Sequence, residues 1–199
     1  MSTETLSKNG EKSRSQEVFR MDPLKFNLWI FMVTVVMTFA GLTSAYIVRR
    51  ADGDWWSFPL PEAFLVTSLI VIISSFTMHL ATKAAQNDDL FKLKTALWTT
   101  LILGLGFAIG QFYGWGWLVE NGIYLSGNPN PAGSFLYVLS GLHWLHILGA
   151  ILFILVTLVA AHRNKINSKN TRKLELCATF WHFLGGLWIY LYLFLLLFR

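Results

Sequence analysis

The sequence predicts an all-α, polytopic membrane protein in which five transmembrane helices form one bundle. Five long stretches without a charged residue in their interior alternate with short charged loops along the 199 residues. At about 1.5 Å per helical residue, a stretch of roughly 20 to 25 residues crosses a hydrocarbon core of about 30 Å. With 54% hydrophobic and 14% charged residues, the chain has too few polar side chains to cover a soluble protein of this size.

The boundaries of the elements follow from where the charged residues stop. We expect a polar cytoplasmic segment over 1–24 and a transmembrane domain over 25–199. Its helices are predicted over about 25–49, 62–85, 94–119, 135–162 and 176–198. The first reads FNLWIFMVTVVMTFAGLTSAYIV, which is apolar on every face and lacks the alternation of a membrane β-strand. It is also longer than the apolar core of a cleavable signal peptide, so we expect it to act as its own insertion signal.

The distribution of basic residues predicts the orientation in the membrane. An N-terminus on the cytoplasmic side places 13 of the 16 lysines and arginines on that side and leaves only Arg49, Arg50 and Arg199 on the other. The positive-inside rule therefore predicts a cytoplasmic N-terminus and a periplasmic or extracellular C-terminus. The same distribution argues against a nucleic-acid partner, because the basic residues are scattered over short loops and a tail rather than gathered on a folded domain.

The predicted helices contain few side chains that could act in catalysis, proton transfer or metal binding. All 11 acidic residues lie in loops or at helix boundaries, so no carboxylate is placed at mid-membrane to relay protons or bind a cation. This disfavours a self-contained transporter or channel. The single cysteine, Cys177, excludes an internal disulfide and a metal site built from several cysteines.

Five histidines lie within the predicted helices or at their ends: His79, His143, His146, His162 and His182. His79 and His182 fall at a similar depth on different helices, which is the arrangement that a bis-histidine haem requires. A membrane electron carrier that holds haem b is therefore a candidate of another functional class. His143 and His146 share one face of the fourth helix, but the sequence offers no third metal ligand near them. Packing histidines that form hydrogen bonds are the favoured interpretation.

The last two helices carry two ordered motifs. The fourth helix, with YVLSGLHWLHILGA, contains Gly141, His143, His146 and Gly149. The fifth, with LELCATFWHFLGGLWIYLY, contains Glu175, Trp181, His182, Phe183 and Trp188. Together they resemble subunit III of the haem-copper oxidases, the cytochrome c oxidase subunit III family, in its five-helix bacterial form. That family shows Gly-x-His-x-x-His with a later glycine, then a basic loop, a glutamate, Trp-His-Phe and a further tryptophan.

The resemblance covers the chain from about residue 25 onward. The second helix matches the family's serine-rich pattern that ends in His79, and the third has a glycine-rich segment that leads to Gln111. One departure is Val35, which stands where many members have a glutamate inside the membrane. A second family glutamate would fall on Gly114. Roles of those acids in proton uptake are therefore not carried over to this chain.

The resemblance implies an accessory subunit with no catalytic, cofactor-binding or metal-binding residue of its own. Haems and copper would be held by its partners, the catalytic subunit I and subunit II, in the plasma membrane of a bacterium. The motif residues, with His79 and Gln111, would serve structure, lipid binding or subunit contact. The subunit would bind phospholipid, support the stability and proton uptake of the catalytic subunit, and be able to join a respiratory supercomplex. Glu175 would pair with Arg172 or with a partner's cation.

The resemblance leaves the kind of oxidase open. Cytochrome c oxidase is the favoured interpretation, and subunit III of a quinol oxidase or the related subunit of a nitric-oxide reductase are the alternatives. The electron donor and the haem type depend on other chains. The haem b carrier differs from all of these, because its purified chain would show a haem spectrum by itself.

Overall fold

The computed structural model describes residues 22–53, 55, 57–127, 131–168 and 170–198. Within them the chain forms five α-helices, each long and apolar enough to cross a membrane. They are α1 Pro23–Arg50, α2 Glu62–Gln86, α3 Leu90–Glu120, α4 Ala132–His162 and α5 Arg172–Phe198. The described residues contain no β-strand. The predicted fold class is confirmed, while most of the predicted N-terminal segment lies outside the described residues.

The helices are longer than the uncharged stretches that predict them. α3 begins at Leu90 because the Asp89 side chain accepts a hydrogen bond from the backbone N–H of Lys92 at 3.1 Å and caps the helix. A further hydrogen bond from the Lys92 ammonium holds the pKa of Asp89 below its usual value. Asp22 caps α1 in the same way. The first turns of these capped helices contain charged side chains. The prediction from uncharged stretches therefore placed the start of each helix too late in the sequence.

Four of the helices form a ring, and the first helix lies outside it. α2, α3, α4 and α5 each pack against the next, and α5 closes the ring by packing against α2. Successive helices run antiparallel, because short loops join them. α1 packs only against α4 and α5: among the described residues, none of its Cα atoms lies within 8 Å of one in α2 or α3.

Glycines on α3 allow its neighbours to approach closely. A Cβ atom added at Gly114 would lie 2.4 Å from the Phe64 ring, and one added at Gly110 would lie 2.4 Å from Cγ2 of Thr67. At Gly104 the nearest atom belongs to a tryptophan of α5, 2.7 Å away. A real Cβ atom essentially never lies within 3.0 Å of an atom to which it is not bonded. Only glycine, whose side chain is a single hydrogen atom, therefore fits at these three positions.

Candidate functional site

Two tryptophans of the fifth-helix motif bond α5 to α2 inside the ring. The indole N–H of Trp181 donates to Ser74 Oγ at 3.1 Å, and that of Trp188 donates to Ser68 Oγ at 3.0 Å. Both tryptophans are almost fully buried, with 3% and 1% of their surface exposed. Because a buried indole N–H needs an acceptor that lipid cannot supply, these bonds hold the two helices in register.

His182 forms a third link between the same helices. Its Nδ1 lies within hydrogen-bond distance of Ser75 Oγ on α2. His79 also lies on α2, where it is exposed. The groove beside His182, between α1 and α5, is lined by seven further residues, and none of them is a histidine. The structure therefore uses His182 as a polar link between helices and offers no second imidazole across that groove.

His143 packs at the centre of the molecule through its ring alone. It is fully buried, and its two ring nitrogens have no hydrogen-bond partner among the described residues. The imidazole stacks on Trp188 at 5.3 Å between centroids, and the rings of Phe39 and Phe107 stand edge-on to it at 6.2 and 6.1 Å. These rings come from α1, α3 and α5, so His143 lies where four helices meet. Within the described residues, His143 is therefore held by ring contacts.

His146 meets the prediction of a hydrogen-bonded packing histidine. Its Nδ1 donates to the backbone carbonyl of Leu142 at 2.7 Å, and its ring lies beside Phe31 and Phe39 of α1. The two histidines of the fourth-helix motif share Phe39 as a neighbour, while Phe107 and Trp188 contact His143 and Phe31 contacts His146. Across the part of the chain that the structure describes, no three His, Cys, Asp or Glu side chains are grouped to hold a metal ion.

Gln111 is a buried polar link between α2 and α3. It is fully buried, and its Nε2 donates to Thr67 Oγ1 at 3.1 Å. Its Oε1 has no partner among the described residues. A glutamine side chain at this depth fixes the relative height of the two helices, because its amide has no water to bond with.

The remaining motif residues face the outside of the ring. Phe183 lines the groove between α1 and α5, which has a volume of about 480 Å³. A Cβ atom at Gly141 or Gly149 would meet nothing within 4 Å. These two glycines therefore leave open space on α4 and are not required for packing within the chain.

Glu175 contacts the start of α1. Its carboxylate lies 3.6 Å from the Lys25 ammonium and accepts a hydrogen bond from the Thr171 hydroxyl at 2.6 Å. Arg172 pairs instead with Asp22, so the expected pairing of Glu175 with Arg172 is not what the structure shows. Two ion pairs thus join the first turns of α1 and α5. Because all four side chains are partly exposed, each pair contributes about 0 to 1 kcal/mol.

Val35 is buried in the core with 2% of its surface exposed. The serine acceptors on α2 were not predicted as partners of the tryptophans. The sequence contains a signal for them: Ser68 and Ser74 are six residues apart, and Trp181 and Trp188 are seven apart. Nearly equal spacing on two antiparallel helices lets both pairs meet.

Comparison with known proteins gives the family. A family model described as cytochrome c oxidase subunit III matches residues 5–199. The chain belongs to the cytochrome c oxidase subunit III family. A probable cytochrome c oxidase subunit 3 of Nocardia farcinica is 32% identical over 169 residues, which are 82% of each chain. One of Mycobacterium bovis is 30% identical over 187 residues, 90% of each chain. A cytochrome c oxidase subunit 3 of Synechocystis is 32% identical over 174 residues, 84% of this chain and 72% of the relative.

Family membership explains the character of the site. Relatives in the cytochrome c oxidase subunit III family are accessory parts of an oxidoreductase complex. In this chain, the described polar side chains of the core bond to one another or to backbone carbonyls, or pack against rings, and the described acidic side chains lie at helix ends or in loops. The arrangement is that of a scaffold that joins helices.

Proposed function

We propose that this chain is subunit III of a bacterial respiratory cytochrome c oxidase, packed on the catalytic subunit I in a complex with subunit II. Those partners would hold the haems and copper. The observation that carries the proposal is the family match over residues 5–199. The use of the motif histidines and tryptophans in helix packing supports it.

Purification of the tagged chain from its own membrane in mild detergent tests this proposal. We expect haem a in the visible spectrum and a many-helix catalytic subunit in the mass-spectrometric partner list of the same preparation. Partners of a respiratory supercomplex would appear in that list. A colourless preparation without partners would overturn the proposal, and a stoichiometric haem spectrum from the chain alone would replace it with the haem b carrier.

The electron donor is part of the proposal and has its own test. Oxygen consumption by the purified complex should respond to reduced cytochrome c. A response to quinol alone would instead indicate a quinol oxidase, and reduction of nitric oxide without oxygen consumption would indicate a nitric-oxide reductase. The descriptions of the relatives support cytochrome c.

We infer that the groove between α1 and α5 binds a phospholipid acyl chain. Its lining includes Val36, Ala40, Phe183 and Leu187, and a volume of about 480 Å³ leaves room for a flexible apolar chain. We further propose that subunit III supports the stability and proton uptake of the catalytic subunit indirectly, through this lipid and through packing. Val35 supports the indirect role, because an apolar side chain there cannot relay a proton.

Glu175 is proposed as a contact with a partner subunit as well as with Lys25. Its side chain keeps 44% of its surface exposed, so a partner's cation can reach it. Glu175→Gln should then loosen the hold of the subunit on the complex, or hasten inactivation during turnover, more than Lys25→Gln does. Equal behaviour of the two variants would show that the carboxylate serves only the ion pair within the chain.

The open face of α4 around Gly141 and Gly149 is proposed as a subunit contact. Because neither glycine is needed for packing within the chain, a larger side chain there should leave the fold intact and disturb only what lies outside it. Gly149→Leu is expected to reduce the yield of catalytic subunit that co-purifies. Unchanged yield would place the contact on another face.

A further inference from the structure

A second groove lies on the seam of α2 and α3, away from α1. It has a volume of about 500 Å³ and extends along α2 from Thr77 to Asn87. At about 1.5 Å per residue this is roughly 15 Å, half of a hydrocarbon core of about 30 Å. The groove therefore has the depth of one leaflet, and it ends at the short turn between the two helices.

The wall of this groove is apolar although three threonines line it. The hydroxyls of Thr77, Thr95 and Thr99 donate to backbone carbonyls of their own helices at 2.9, 3.0 and 3.0 Å. The rest of the wall is formed by Leu80 and Ala84 of α2 with residues of α3. With these hydroxyl protons already bonded, the wall suits an acyl chain better than a sugar or a nucleotide.

The mouth of the groove carries net positive charge. Lys83 and Lys92 both line it, one in the last turn of α2 and the other in the first turn of α3. Asp89 pairs with Lys92 at 2.8 Å. Asp88 of the same turn accepts hydrogen bonds from Ser168 instead of lining the groove. The three charged side chains that line the mouth, Lys83, Asp89 and Lys92, therefore sum to one positive charge at the depth where a headgroup would lie.

We propose that this groove binds one anionic diacylphospholipid. Its phosphate lies between Lys83 and Lys92, and one acyl chain lies along Leu80 and Ala84. Charge complementarity decides the occupant, because an apolar helix of a partner would cover the wall and leave the lysines uncompensated, and a choline headgroup would bring a cation to them. The inference rests on the lipid-binding part of the proposed function and names a site and a lipid class for it.

The test counts lipid on the complete chain within its complex. The complex is purified in mild detergent, exchanged with phosphatidylglycerol or phosphatidylcholine, and examined by native mass spectrometry. The double variant Lys83→Gln, Lys92→Gln should retain phosphatidylglycerol about tenfold more weakly and phosphatidylcholine unchanged. The matched control is Lys165→Gln with Lys173→Gln, which removes two exposed lysines of the α4–α5 region and should retain both lipids as the unaltered complex does.

A second variant tests the acyl chain without changing charge. Thr95 is exposed on the groove wall, so Thr95→Phe should fill the space and weaken retention of both lipids. If the lysine variant retains phosphatidylglycerol as well as its control does, the headgroup site is wrong. If the lysine variant loses lipid while Thr95→Phe does not, the lysines attract lipid to the surface and the groove is not the site.

The outcomes also separate this inference from the function on which it rests. An intact complex in which no variant changes lipid retention overturns the groove and leaves the oxidase role standing. A preparation without oxidase partners that still shows the expected lysine and Thr95 effects confirms the groove and overturns the oxidase role. Loss of all bound phospholipid from the unaltered complex overturns both lipid proposals.

Discussion

Single residues of this protein show how a helix bundle is held together where water is absent. The rings of Phe64 and Phe107 stand edge-on to Trp188 at 5.7 and 5.1 Å, and His143 stacks on the same indole. Trp188 therefore combines ring contacts with the hydrogen bond to Ser68. The residues around it have little freedom, because each contact fixes the position of the next.

Gly114→Ala is expected to destabilise the protein. Its new Cβ would lie 2.4 Å from Cε1 of Phe64, and Phe64 is fully buried and cannot move away. Overpacking of this kind costs about 1 to 3 kcal/mol. Thermal unfolding in detergent should show a lower Tm than for Gly106→Ala, the matched control, where nothing lies within 4 Å of the added atom. Equal Tm values would contradict the close approach of α3 and α2.

Ser68→Ala is also expected to lower stability, for a different reason. It leaves the Trp188 N–H without an acceptor in an apolar core, at a cost of about 0.6 to 2 kcal/mol in membrane proteins. The control is Ser44→Ala, because Ser44 is exposed on α1. Tryptophan fluorescence during chemical unfolding would report the difference. A Ser68 variant as stable as the control would show that this hydrogen bond adds nothing measurable.

At the scale of elements, the first helix is the one least tied to the rest. It lies outside the ring of α2 to α5, and among the described helices it packs only against α4 and α5. Tyr46 attaches its C-terminal end: the hydroxyl donates to the backbone carbonyl of Phe198 at 3.2 Å, and the ring packs edge-on against Trp55, Phe135 and Phe194. Ion pairs attach its N-terminal end. These contacts at both ends hold α1 in place although it has few neighbouring helices.

The Lys25–Glu175 pair is expected to contribute little to stability within the chain. Both side chains are about half exposed, so a double-mutant cycle with Lys25→Gln and Glu175→Gln should give a coupling free energy below about 1 kcal/mol. The coupling should shrink further as salt is added. A coupling of several kcal/mol that resists salt would mean that the pair is buried in the assembled protein.

Gly186→Phe is predicted to displace lipid from the groove between α1 and α5. Gly186 lines this groove, and a Cβ there meets nothing within 4 Å, so the phenyl ring would occupy the groove rather than clash. If the ring displaces two CH₂ groups of the acyl chain, at about 0.8 kcal/mol each, lipid binding in this groove should weaken roughly tenfold. Lipid counts from native mass spectrometry should fall, while Gly106→Phe on the outside of α3 should leave them unchanged. Identical counts would contradict a lipid in this groove.

At the scale of the whole molecule, the orientation remains a prediction from charge, and labelling can test it. Lys165→Cys lies in the α4–α5 loop and Ser126→Cys in the α3–α4 loop, at opposite ends of the bundle. A membrane-impermeant maleimide should label position 126 in intact cells and position 165 only in inverted vesicles. Cys177 is buried and should react slowly in both. Labelling with the reverse pattern would invert the proposed topology.

Prediction from the sequence succeeded for features that can be recognised within a single stretch of the chain. The five helices follow from uncharged length, and the family follows from ordered motifs such as Trp181, His182 and Trp188. It did not identify partners within the chain: Arg172, one of two partners expected for Glu175, pairs with Asp22, and Glu175 pairs with Lys25. A partner three residues away on the same helix is easy to propose from the sequence. Whether a residue of another helix takes its place depends on how that helix is rotated, which the sequence does not show.

The sequence by itself determined that this protein crosses the membrane five times, because each crossing demands an apolar stretch that can be recognised locally. It also determined the family. Only the tertiary structure decided which helices form the ring, that α1 lies outside it, and which serine faces which tryptophan. The physical reason is that a spanning helix is apolar toward lipid and toward its neighbours alike, so its hydrophobicity does not tell which face is packed.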